Sequence, residues 1–297
     1  MDKPILLQKK KLVKPIEQAL ERIEKIRLRK VSNADEIILE GLFALGVASF
    51  EHSISDTLKT LLSEIPDKLD LKTEPITKSQ LIDGNPLEQA VQNKVNSISY
   101  KSLQDIIKYF TKTLDIPENI VTEDEMNQLL ELKATRNLLI HNNLMVNPIY
   151  EETAGPNKRS GKGNGGRLRI NQDYLFESLV VMRTVLEKIE TELLEKYKDF
   201  TKIKAVKNLF NYIFNTPVMN FDHEFDIDEG KDTISAIKRD TSHKEDLSSS
   251  ERLFFDIWVA HTHGDRFEFS RGEFFGLDKN NIKKMAFLIE NIYILKT

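Results

Sequence analysis

The stretch TEDEMNQLLELKATRNLLIHN, residues 122–142, decides how the chain is read. Thr122 followed three residues later by Glu125 is a capping-box pattern, so a helix is expected from Glu123 to about Asn142. Met126, Leu129, Leu130, Ala134, Leu138 and Leu139 recur at helical spacing and form its expected inward stripe. Near its end stand Arg136, Asn137 and His141: a fixed cation, an amide, and a side chain of the type that titrates near neutral pH. That set suits cleavage of RNA without a metal, in which a phosphate is gripped while protons move.

Working outward, Pro15 suits the first turn of a helix running to about Arg29. Asn33 with Glu36 repeats the capping-box pattern and opens a helix over residues 34–64, with Ile37, Ile38, Leu42, Leu45, Phe50, Ile54, Leu58, Leu61 and Leu62 as its apolar positions; Pro66 stops it. A polar connection follows. Asn85-Pro86 then reopens a helix to about Val95, and Ser99 starts another to Leu114. Downstream, residues 149–153 and 167–170 read as two short strands of a hairpin around a Gly-rich basic tip, before a long helix over residues 173–197.

With 12 glycines and 9 prolines in 297 residues, little interrupts these helical patterns. The expected fold is all-α: a helical bundle with a small β-hairpin and a C-terminal helical appendix. Residues 1–32 form a basic N-terminal helix, 33–200 the bundle, 201–246 a connecting helix and acidic stretch that reads equally as linker or ordered loop, and 247–297 a helical segment opened by Ser248 and Glu251.

Composition excludes several classes. The absence of cysteine removes disulfide frameworks, thiolate metal sites and cysteine nucleophiles. No run approaches 18 apolar residues and the start lacks a signal-peptide core, so a soluble cytoplasmic protein without membrane contact is expected. A net charge of −4 rules out a generic polyanion binder and makes any nucleic-acid contact local. Two basic clusters offer one: residues 9–30, and the loop carrying Lys158, Arg159, Lys162, Arg167 and Arg169. Taken alone, each reads more readily as a solvated helix face or a solubilising loop.

Other motifs fail on inspection. Gly155 and Gly161 are separated by five residues and Gly163 stands where a phosphate loop needs Ser or Thr. Asp222 to Gly230 carries Ile227 where a calcium loop needs Gly. His261, His263 and Asp265 hold metal-ligand chemistry but lack neighbouring ligands, leaving a metal enzyme as a remote alternative. No cofactor or metal is expected.

On one helix Asn137 and His141 share a face, whereas Arg136 and His141 stand about 140° apart around the axis. A single helix therefore does not close both round one phosphate; two copies related by a twofold axis can. This motif late in a helical bundle, with Phe50-Glu51 on an early long helix and a closing helix from Asp173, resembles the HEPN superfamily over roughly residues 33–197. The resemblance implies a homodimeric, metal-independent endoribonuclease that leaves a 2′,3′-cyclic phosphate and a 5′-hydroxyl. By the same resemblance His141 moves the proton of the ribose 2′-hydroxyl, Arg136 stabilises the pentacoordinate phosphate, Asn137 orients phosphate or His141, and Glu51 assists. RNA contacts then fall to Asn142 and the loop cations. The implied setting is toxin–antitoxin or antiphage defence, with an antitoxin or defence-system partner and a C-terminal segment that controls partner choice or activity. The competing expectation is a non-catalytic HEPN-like RNA-binding or protein-interaction scaffold.

Overall fold

The computed structural model describes residues 5–69, 86–160, 166–201, 204, 205 and 208. The chain divides into two units, one spanning Lys9–Lys198 and the other combining Met1–Gln8 with Asp199–Thr297. Only 5–8, 199–201, 204, 205 and 208 of the second are described, so the acidic stretch, the C-terminal helices and the His261–Asp265 motif lie outside the described residues.

The first unit is an all-α bundle with no strand among the described residues. Its helices are α1 Lys9–Arg27, α2 Glu36–Glu64, α3 Pro86–Ser99, α4 Leu103–Leu114, α5 Glu123–Asn142, α6 Pro148–Thr153 and α7 Gln172–Lys196. α2 is the central member and packs on α1, α3, α4, α5 and α7. By length and composition alone it is apolar enough to cross a membrane. In the fold it is the core helix: Leu39, Phe43, Val47, Phe50, Ile54, Leu58, Leu61 and Leu62 are all buried.

Small residues let the neighbours approach α2. A Cβ on Gly46 would stand 3.0 Å from Leu179 Cδ2 and 3.3 Å from Met182 Cε, both on α7. Ser53 and Thr57 continue this buried strip, and Ser53 returns its hydroxyl to the Phe50 carbonyl at 2.8 Å. Of the apolar positions read in the sequence, Phe50, Ile54, Leu58, Leu61 and Leu62 are buried, whereas Ile37 is 84% exposed, Ile38 51% and Leu45 38%. Nearly every turn of α2 carries apolar residues on two faces, so periodicity alone does not select the face that packs.

Helix ends follow local chemistry, with two exceptions. α5 starts on the expected capping box, the Thr122 hydroxyl accepting from Glu125 N at 3.3 Å and Glu125 Oε2 accepting from Thr122 N at 2.9 Å. α3 runs on to Ser99, so Ser102 rather than Ser99 caps α4, accepting from Asp105 N at 3.2 Å. The first exception is Asn33, which does not cap α2. Its Oδ1 accepts from Gln172 N at 2.8 Å and helps close the N-terminus of α7, where Asn171 accepts from Tyr174 N. Glu36 is likewise drawn to Arg169. The second is Pro15, which sits inside α1 because that helix begins at Lys9.

The expected hairpin is corrected. Residues 149–153 belong to α6, because Asn147 accepts from Tyr150 N at 2.9 Å and Pro148 occupies the first helical position. The extended residues 166–168 instead meet the exit of α5, with Leu168 N donating to Leu144 O at 2.9 Å and a single antiparallel bridge joining Met145 to Arg167. Asn143 and Leu144 both adopt left-handed backbone, φ 47° and 60°. Asn tolerates this region; Leu does so at a cost, here with its side chain fully buried. The chain thus reverses sharply one residue beyond Asn142.

Candidate functional site

Arg136 and Glu51 are brought together by the packing of α5 on α2. Glu51 pairs with Arg136, while Glu40, eleven residues earlier, pairs with Arg167 beside Asn143 at the end of α5. The two helices are therefore antiparallel. An Arg136 terminal nitrogen donates to Glu51 Oε2, its other terminal nitrogen donates to Asn137 Oδ1 at 2.8 Å, and its Nε is buried with no hydrogen-bond partner. Lys133, one turn earlier on α5, lies 3.1 Å from Glu51 Oε1. Both carboxylate oxygens of Glu51 are thus engaged by cations.

All four candidate catalytic residues, Glu51, Arg136, Asn137 and His141, line one cavity of about 1430 Å³ bounded by α2, the α3–α4 turn, α5 and α6. His141 is exposed on this groove, as is His52 on α2. The α3–α4 turn adds Tyr100, 92% exposed, and Lys101. Arg136 and His141 leave α5 in different directions, yet the groove is broad enough to take in both.

The candidate RNA-binding residues are distributed otherwise. Asn142 donates to the Met145 carbonyl at 2.5 Å and fastens the chain reversal. Arg167 pairs with Glu40 at 2.9 Å and Arg169 with Glu36, both at the N-terminal half of α2. Lys158 is exposed and makes no ion pair among the described residues, and Lys162 lies outside them. In the N-terminal cluster, Lys11 pairs with Glu64, Lys25 with Glu21 and Arg27 with Glu24, so much of its charge is met by carboxylates.

Arg159 is the clearest departure, because it is a structural residue. It donates to Glu131 Oε1 at 3.0 Å, to the Thr135 hydroxyl at 3.2 Å and to the Arg169 carbonyl at 2.9 Å, and its guanidinium lies 3.6 Å from the centre of the Tyr174 ring. Glu131 is only 4% exposed and also accepts from Thr135 at 2.6 Å, Tyr150 at 3.0 Å and Tyr174 at 2.7 Å. Burial, reinforced by the Glu131 charge, holds the Tyr174 hydroxyl well above its ordinary pKa and pushes Tyr150 up as well. This network pins α6 and the following loop to α5 and α7.

Sequence reasoning missed Lys133, His52 and the whole Glu131 network. Lys133 had a readable signal, standing three residues before Arg136 on the same helical face. His52 follows Glu51 directly. Glu131 had none, because a glutamate in a helix is ordinarily exposed. No group of three metal-ligating side chains occurs among the described residues. No family model, no curated protein and no solved structure matches this chain.

Proposed function

We propose that the chain is a metal-independent endoribonuclease of HEPN type, working as a homodimer on RNA in a toxin or antiphage-defence setting. The observation that carries this reading is the convergence of Glu51, Arg136, Asn137 and His141 on one open groove, from two helices and 85 residues of separation between Arg136 and Glu51. Arg136 holds the non-bridging phosphate oxygens and offsets the charge that grows in the pentacoordinate state. Asn137 and Glu51 position the guanidinium, and His141 transfers a proton at the ribose or the leaving oxygen. The 2′-oxygen bonds to phosphorus, the P–O5′ bond breaks, and a cyclic phosphate and a 5′-hydroxyl result.

Dimerisation is supported by apolar side chains left in solvent beside the site. Ile140, next to His141, is 57% exposed, and Ile149 on α6 is 70% exposed. A twofold contact through this rim covers them and sets two grooves side by side.

One observation favours the scaffold reading: both terminal nitrogens of Arg136 already have partners within the chain. The test is cleavage of total RNA in EDTA by wild type, Arg136→Ala and His141→Ala, with dimerisation followed by light scattering. Cleavage by wild type, lost in both variants while the dimer persists, supports the nuclease. A dimeric wild type without cleavage supports the scaffold, and cleavage abolished by EDTA supports a metal enzyme.

A further inference from the structure

Transesterification needs one group to take the 2′-hydroxyl proton and another to protonate the departing 5′-oxygen. Of the four residues given roles above, only His141 is of a type suited both to taking and to giving a proton. Arg136 has the phosphate to hold, and both oxygens of Glu51 are occupied by Arg136 and Lys133. The groove is also lined by the lysines Lys59 and Lys101 and the carboxylates Asp56 and Glu152. One other histidine lines it: His52.

We infer that His52 is the second proton-transfer residue of this groove, acting with His141 as an acid–base pair; the inference rests on the nuclease reading above. His52 is exposed and makes no hydrogen bond or ion pair among the described residues, so its imidazole is available to a ligand. Its place is fixed from two sides. Glu51, the preceding residue, is tied to Arg136, and Ser55, one turn later, lies 3.5 Å from Ser99 at the end of α3. His52 thus lines the same groove as the phosphate-gripping arginine and the α3–α4 turn. One histidine accepts the 2′-hydroxyl proton as the O2′–P bond forms; the other gives its proton to the 5′-oxygen as the P–O5′ bond breaks, and exchange with water resets both.

The test uses the full chain and two pools of short mixed-sequence RNAs, one ordinary and one with sulfur replacing the 5′-bridging oxygen at a single linkage. A thiolate leaves without being protonated, so sulfur removes the need for the acid and not for the base. His52→Gln and His141→Gln are each expected to slow the ordinary linkage by about 100-fold or more, with unchanged melting, and the sulfur linkage restores the rate of one variant and not the other. His52→Gln cleaving ordinary RNA at the wild-type rate while His141→Gln does not overturns the role of His52 and leaves the nuclease reading standing; a second copy's His141 then supplies the other proton. Slow cleavage of the sulfur linkage by both variants also overturns it. A wild type inert on both pools defeats the nuclease reading and this inference with it.

Discussion

Two carboxylate–arginine pairs stand on α5 five residues apart, and they are opposites. Glu131 is buried, and the hydroxyls of Thr135, Tyr150 and Tyr174 together with the Arg159 guanidinium account for both of its oxygens. Arg136 borders an open groove, carries a buried Nε without a partner, and has the exposed His141 one and a half turns away. A polar group fully paired inside the protein holds elements together; one bordering a solvent-reaching cavity is placed to meet a ligand. The basic loop shows why charge alone misleads, since Arg159 is spent on the fold.

The contrast is broken most severely by emptying the sealed pair. Glu131→Ala takes this acceptor from a guanidinium and three hydroxyls, those of Thr135, Tyr150 and Tyr174, and is expected to cost about 3–5 kcal/mol in urea unfolding. The open pair responds in the other coordinate. Glu51→Ala is expected to change stability by no more than about 1 kcal/mol, because it breaks a partly exposed pair, and to lower RNA cleavage by about tenfold or more as Arg136 loses its anchor. Equal stability losses at Glu131 and Glu51 erase the distinction.

Alkaline unfolding sharpens it further. Tyr174 and Tyr150 have folded-state pKa values raised by burial first and by Glu131 second. Their contribution is therefore fully present below the ordinary tyrosine pKa of about 10 and is lost as pH rises through the folded values. The Tyr150→Phe, Tyr174→Phe double variant is expected to lose less stability between neutral and strongly alkaline pH than wild type, measured by urea midpoints across that range. The smallest effect is at the distant cap: Asn33→Ala is expected to cost about 1 kcal/mol by freeing Gln172 N, with cleavage untouched.

What was legible in the sequence is what local chemistry dictates. The bounds of α5 follow from Thr122 and Glu125, and Arg136, Asn137 and His141 ride on it at the expected place. What was hidden depends on partners remote in sequence. Asn33 bonds to a residue 139 positions away, Glu131 finds Tyr150, Arg159 and Tyr174 as its partners beyond its own helix, and the packed face of α2 is chosen by Gly46 meeting α7. The helix α6 was readable after all. Asn147-Pro148 is a start signal, outweighed in the reading by the β-prone residues that follow.

The most direct measurement is the chemistry of the ends produced when the purified chain meets a single-stranded RNA in EDTA. Fragments bearing 2′,3′-cyclic phosphate and 5′-hydroxyl termini, formed by wild type and reduced by about 1000-fold in Arg136→Ala, are the predicted result. Intact RNA, or fragments ending in 5′-phosphate, contradicts the account.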